Sequence, residues 1–174
     1  MSYSKRLLER ERATGRPVRV GVVGAGQMGS GLVAQINRVP GLFMSAVADI
    51  DVTRAERALA GAGCDDVTST DDLTDASAAI EAGGSVAIGS GLALTKLPLD
   101  VIVEVSGVPD VAAEVAYASL LAGKDTLLMT VEADVTVGLL LAGMANAGGA
   151  VAGPAFGYQE AKGAATMELS LIHI

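Results

Sequence analysis

The apolar positions of the chain gather into short runs separated by polar or glycine-rich breaks. In residues 18–23, Val18, Val20, Val22 and Val23 are β-branched. A short run of that kind suits a strand buried on both faces. Similar runs follow over 42–48, 65–69, 100–105 and 126–131, and a sixth is read over 150–156. Between them the pattern predicts helices over 27–37, 52–60, 71–81, 110–122 and 136–147. Asp51 and Thr70 stand where N-caps are expected, and Gly123 stops the helix before it. Ahead of these, residues 2–13 read as a polar amphipathic helix with Leu7 and Leu8 available for packing and Ser4 as a cap. Thr14-Gly15-Arg16-Pro17 ends it. Residues 82–97 are long for a connection and read as an insertion before the fourth strand. The sustained alternation of strand and helix predicts an α/β fold: a doubly wound, mostly parallel sheet with right-handed crossovers.

The first break carries chemistry. Gly24, Gly26 and Gly29 hold the G-x-G-x-x-G spacing between the first strand and a helix that opens with Gln27 and Met28. In that setting the first glycine permits the tight turn and the second lets a pyrophosphate approach the backbone. The third lets helix and strand pack closely. The free N–H groups at the helix start favour phosphate. Asp49 ends the second run, 20 residues after Gly29, where a carboxylate can accept from the adenosine ribose hydroxyls. The alternative is a plain glycine turn with Asp49 as a strand-end residue. The joint spacing favours a Rossmann NAD(P)-binding fold. Arg54 is either a solvated helix residue or a partner for the 2′-phosphate of NADP. Asp49 opposes that phosphate, so NAD is favoured and NADP stays open.

Bulk properties narrow the classes. The chain has 174 residues, 51% of them hydrophobic and only 3% aromatic, so one domain with an aliphatic core is expected. The net charge of −8 argues against a nucleic-acid partner, which needs clustered Lys and Arg. Cys64 is the one cysteine; it forms no intrachain disulfide and reads as a small residue near the third strand. With no secretory signal in the charged N-terminus, a cytoplasmic location is expected. Residues 135–159 carry no charge, but their glycines, Asn146 and Pro154 fit a helix and a strand better than a membrane span.

In a doubly wound sheet, ligands lie beyond the carboxyl ends of the strands. That edge gathers Gly24 to Gly29, Asp49, Ser106, Gly107 and Glu132. Ser106 and Gly107 are expected beside the nicotinamide ribose, or else simply begin the next helix with Pro109 in its first position. Glu132 and Asp134 are candidate catalytic carboxylates that can bind substrate hydroxyls, hold a divalent metal or move a proton. Otherwise Asp134 caps the following helix and Glu132 bonds to backbone amides. Lys124 follows a helix-ending glycine and is expected to be exposed.

Several of these segments resemble homoserine dehydrogenase-like oxidoreductases. They are Arg19-Val20-Gly21-Val22-Val23-Gly24-Ala25-Gly26, Ala48-Asp49-Ile50-Asp51, Val103-Glu104-Val105-Ser106-Gly107 and Ala122-Gly123-Lys124. Val131-Glu132-Ala133-Asp134-Val135, with Val137-Gly138, is similar to the subgroup that includes deoxyxylulose-phosphate reductoisomerase-like enzymes. The resemblance implies hydride transfer between NAD or NADP and a small hydroxy or keto substrate. It also implies a second domain that completes the site, and room for a divalent metal in the full-length enzyme. Thr130 stands where relatives often have Asn, and 157–162 departs from an expected acidic stretch. The domain reading is therefore an N-terminal helix (1–16), a dinucleotide-binding domain (17–157), the start of a truncated substrate domain (158–169) and a non-native tail (170–174). The tail, with the lone His173, resembles a translated adapter. The expected partners are a small-molecule substrate and, at full length, further copies of the chain. The rival class is a non-catalytic nucleotide sensor, such as the gating domains of potassium transport systems. A relic that has lost its cofactor is a third reading.

Overall fold

The computed structural model describes residues 3–148 and 152–154. Its centre is a seven-stranded sheet in which every neighbouring pair is parallel. The strands are β1 (Val18–Val23), β2 (Leu42–Ala48), β3 (Val67–Ser69), β4 (Ser85–Ile88), β5 (Val101–Glu104), β6 (Asp125–Leu128) and β7 (Ala152–Pro154), in the spatial order β3-β4-β2-β1-β5-β6-β7. The helices are α1 (Tyr3–Thr14), α2 (Gln27–Ile36), α3 (Val52–Gly61), α4 (Leu73–Glu81), the short α5 (Gly91–Leu94), α6 (Pro109–Leu121) and α7 (Val131–Gly148). The order of strands reverses about β1, so the chain winds outward in both directions from the first strand.

The aliphatic composition is explained by where these elements pack. One cluster holds Val18, Val20 and Val22 with Met44, Val33, Leu59 and Val103. A second holds Val23, Ala46, Ile88 and Ile102 with Ile80, Leu94 and Val115. Alternate residues of the same strands feed opposite faces, so β1 and β2 must be apolar throughout. A third cluster joins α6 and α7 over Leu128. Cys64 is partly buried against the first cluster and is a free thiol.

Several expectations need correction. Residues 82–97 are not an insertion: they form β4 and α5. The strand ending at Glu104 is therefore the fifth. The glycines that blurred this segment flank a four-residue buried strand, Ser85 to Ile88. The α4 cap is Asp72, whose carboxylate accepts from the Thr74 and Asp75 N–H groups; Thr70 lies two residues earlier and accepts from Asp72 N–H. The run over 126–131 does not stay extended. Pairing with β5 stops at Glu104 and Leu128, and α7 starts at Val131, five residues earlier than the pattern predicts. α1 begins at Tyr3, ahead of Ser4. Among the described residues no helix is long and apolar enough to cross a membrane. Residues 155–174, with His173 and the segments read as 158–169 and 170–174, lie outside the described residues.

At the amino edge of the sheet, Arg16 donates to both carboxylate oxygens of Asp100, to Oδ1 at 2.8 Å. Arg19 N–H donates to Oδ2 at 2.8 Å, and Arg10 lies 3.5 Å from Oδ1. α1 and the segment after it are thereby tied to the starts of β1 and β5. Lys124, expected to be exposed, is half-buried at the same edge and donates to the Leu97 and Leu99 carbonyls at 2.7 and 3.1 Å. Burial pushes its ammonium below the usual lysine range, with the Asp100 charge acting the other way.

Candidate functional site: a glycine turn at the carboxyl edge of the sheet

The carboxyl ends of β1, β2, β4 and β5 open onto a cleft of about 220 Å³. The glycine turn after β1 forms its floor. Gly24 has φ +102°, a conformation that L side chains rarely adopt. A Cβ there would also stand 2.8 Å from Ser106 Cα and Val105 O, so the turn sits directly against the end of β5. A Cβ at Gly29 would collide with the Gly24 carbonyl oxygen and come within 3.3 Å of Val105 Cγ1. The fold itself therefore requires glycine at both positions.

Gly26 is different. It is the N-cap of α2, with φ −68° and ψ −166°, backbone open to any residue. A Cβ there would meet nothing within 4 Å. No protein contact explains the absence of a side chain at this position. Open space at the head of a helix, whose first N–H groups lack intrahelical acceptors, is what an approaching phosphate needs. Gln27 and Met28 begin that helix, and Met28 is exposed. Ser30 Oγ holds the turn from behind by donating to the Ala25 carbonyl at 3.0 Å.

Asp49 closes one side. Its Oδ2 accepts from Ala25 N–H at 2.7 Å and its Oδ1 from Asp51 N–H at 2.9 Å. The carboxylate thus braces the glycine turn and still has lone pairs for ribose hydroxyls. Asp51 caps α3 through Thr53 N–H and lies 3.4 Å from Arg54 Nε. Arg54 and Ile50 stand at the cleft rim, and Ile50 is almost wholly exposed.

The opposite side is the turn after β5. Ser106 N–H donates to Glu104 Oε1 at 2.7 Å. Ser106 Oγ accepts from Val108 N–H at 3.1 Å. Gly107, at φ +72°, donates its N–H to Thr130 Oγ1 at 3.1 Å. Ser106 lines the cleft with Val105, Val108 and Val111.

Glu132 and Asp134 stand in the first turn of α7 rather than at a strand end. Glu132 is exposed. Asp134 is partly buried, and its carboxylate lies over Gly138, where an added Cβ would strike it. Neither belongs to the cleft lining. Among the described residues no group of three or more His, Cys, Asp and Glu is arranged to hold a metal.

The structure thus brings Gly24, Gly26, Asp49 and Ser106 onto one cleft and leaves Glu132 and Asp134 apart from it. It adds groups that sequence reading passed over: the Gly89 and Gly91 backbone, Val108 and Val111 on the wall, and Glu104 and Thr130 beneath the second turn. Glu104 had a legible signal, a charge inside an otherwise aliphatic run. Gly89 had none, because its segment was not recognised as a strand end.

No family model and no curated protein matches the chain. Solved structures do. An NAD-binding oxidoreductase from Klebsiella pneumoniae aligns at TM-score 0.59 and 22% identity, over 80% of this chain and 34% of that one. The fold is that of a Rossmann-type nucleotide-binding domain. A myo-inositol dehydrogenase from Lactobacillus casei, solved with NAD(H) and myo-inositol, aligns at 0.61 and 20%, over 88% and 41%. A 3-ketoreductase from Actinomadura kijaniata, solved with NADP, aligns at 0.57 and 20%, over 78% and 37%. The chain spans between a third and two fifths of the length of these structures.

Proposed function

We propose that the chain is the NAD(P)-binding domain of an oxidoreductase that moves a hydride between the nicotinamide and a small hydroxy or keto substrate. The observation that carries this reading is Gly26: a glycine the fold does not need, open toward solvent at the start of α2. The bound nicotinamide would supply the redox chemistry. The chain's own residues bind and orient. The α2 N-terminus and the Gly26 backbone receive the pyrophosphate. Asp49 accepts from the adenosine ribose, and the Ser106–Gly107 turn meets the nicotinamide ribose. Two of the solved structures that share the fold are named a 3-ketoreductase and a myo-inositol dehydrogenase, which agrees with the substrate class. The finer reading, a homoserine dehydrogenase-like or deoxyxylulose-phosphate reductoisomerase-like enzyme, rests on the resemblance around Glu132 to Gly138. On that reading Glu132 and Asp134 contact substrate or a divalent metal. The domain by itself does not turn over.

The test compares wild type with Gly26→Val. Calorimetric titration with NADH and NADPH should show at least a tenfold loss in the variant, because the side chain occupies the phosphate's space. The variant should stay folded with a melting temperature lowered by no more than about 5 °C, since a Cβ there meets no protein atom within 4 Å and the remaining cost is that of a poorer helix N-cap. Equal cofactor binding by the two proteins would sink the assignment.

A further inference from the structure

We propose that Glu104 and Thr130 form a buried clamp that sets the Ser106–Gly107 turn and, through it, the nicotinamide half of the dinucleotide site. The proposal rests on the cofactor reading above and assigns positioning residues to it. Glu104 is wholly buried at the end of β5. Its three predecessors, Val101, Ile102 and Val103, show that this strand suits aliphatic side chains. A carboxyl at the next position is expensive to bury, and no salt bridge among the described residues includes it. What it does hold is Ser106 N–H, at 2.7 Å through Oε1. Its Oε2 is buried and has no hydrogen-bond partner. Thr130 is also buried, 3% exposed. It reaches the same turn from the far end of β6 and holds Gly107 N–H. Glu104 pairs with Leu128 across the sheet, and Thr130 stands two residues past that pair, between β6 and α7. Two consecutive N–H groups are therefore fixed by two buried side chains from adjacent strands. Gly24 packs against the same turn, within the limit that a single Cβ would break.

The sheet order assigns the half of the ligand affected. Asp49, just after β2, lies on one side of the glycine turn and the clamped turn after β5 on the other. A dinucleotide with its pyrophosphate at Gly26 and its adenosine at Asp49 must lay its second nucleoside toward β5. Displacing the clamp should loosen that half and spare the first.

The experiment titrates the chain with NADH and with ADP, which lacks the nicotinamide nucleoside. The proteins are wild type, Glu104→Ala, Glu104→Gln, Thr130→Val and Thr130→Ser, and amide hydrogen exchange is followed at Ser106 and Gly107. Glu104→Ala and Thr130→Val should each weaken NADH about tenfold and ADP less than threefold. They should also speed exchange at Ser106 and Gly107, respectively, about tenfold. Glu104→Gln and Thr130→Ser keep the acceptor and should stay within threefold of wild type. Thr130→Val preserves shape, so it carries the test if Glu104→Ala does not fold. Equal losses of NADH and ADP, or unchanged affinity with unchanged exchange, overturn the clamp while leaving the cofactor site intact. Wild-type protein that binds neither ligand refutes the cofactor site, and the proposal falls with it.

Discussion

On the proposed function, Asp49 combines a structural and a selective task at one residue. Both of its oxygens accept backbone N–H groups, from Ala25 and Asp51, so the carboxylate is fixed before any ligand arrives. A fixed negative charge near a ribose 2′-position repels a 2′-phosphate by roughly 4 kcal/mol at 4 Å and an effective dielectric of 20. Arg54 opposes this, but it is mostly exposed and already lies beside Asp51. Wild type is therefore expected to bind NAD more tightly than NADP. Asp49→Ser should narrow that difference at least tenfold. It should also weaken NAD itself about tenfold, since a charge-assisted brace on the glycine turn is lost. Paired titrations of both cofactors check this. A wild-type preference for NADP would show that Arg54 outweighs the carboxylate, and Arg54→Ala should then remove the preference.

At the scale of elements, the far edge of the sheet is organised by Asp100. Burial raises the tendency of this carboxyl to hold its proton. The hydrogen bonds from Arg16 and Arg19 N–H, with the charges of Arg16 and Arg10, outweigh that and hold it below the usual carboxylate range. A carboxylate with a lowered folded-state pKa adds stability above its unfolded value, about 3.9, and loses it as pH falls through the folded value. Asp100→Asn should cost about 1–2 kcal/mol at pH 7, a figure kept low because Arg16 is partly solvated. That is a drop of roughly 2–8 °C in Tm. Thermal melts from pH 7 down to pH 2 should show the gap closing below about pH 4. A gap that stays constant with pH would mean that packing, not charge, holds α1 in place.

The same elements show what was legible beforehand. β1, the glycine turn, α2 and β2 were plain because β-branched runs, glycine spacing and Asp49 all agree. β4 was hidden: four buried residues between Gly84 and Gly89 are too few for periodicity to register. The start of α7 was misplaced because Thr126 to Val131 reads as one extended run. Sequence pattern does not reveal that its partner strand ends at Glu104. The site was legible in its glycines and Asp49, which follow a local rule. It was not legible in Thr130, which acts on a turn 23 residues away.

At the scale of the whole molecule, the described residues that line the cleft include no group suited to protonate a substrate. The ionisable side chains that line it are Asp49 and Arg54. Asp49 is committed to the turn, and a guanidinium does not give up its proton in this setting. Reduction of a carbonyl needs a donor to the forming alkoxide. Glu132, the candidate that the resemblance offers, stands exposed at the head of α7 and outside the cleft lining. Val135, Leu139 and Leu140 stand exposed on the same helix, Leu139 almost fully. Solved structures with this fold carry about twice as much chain again outside the matched region. On the proposed function one outcome is expected: the 174-residue chain binds NAD(H) and shows no substrate-dependent turnover. The assay follows NAD(P)H oxidation by the chain against a panel of hydroxy and keto compounds, with and without Mg²⁺. Glu132→Gln should leave the Kd for NADH within about twofold, because Glu132 lies outside the cleft lining. Substrate-dependent turnover by the 174-residue chain would overturn the expectation. It would mean that Glu132, Asp134 or the residues after Pro154 complete a reactive site within this chain.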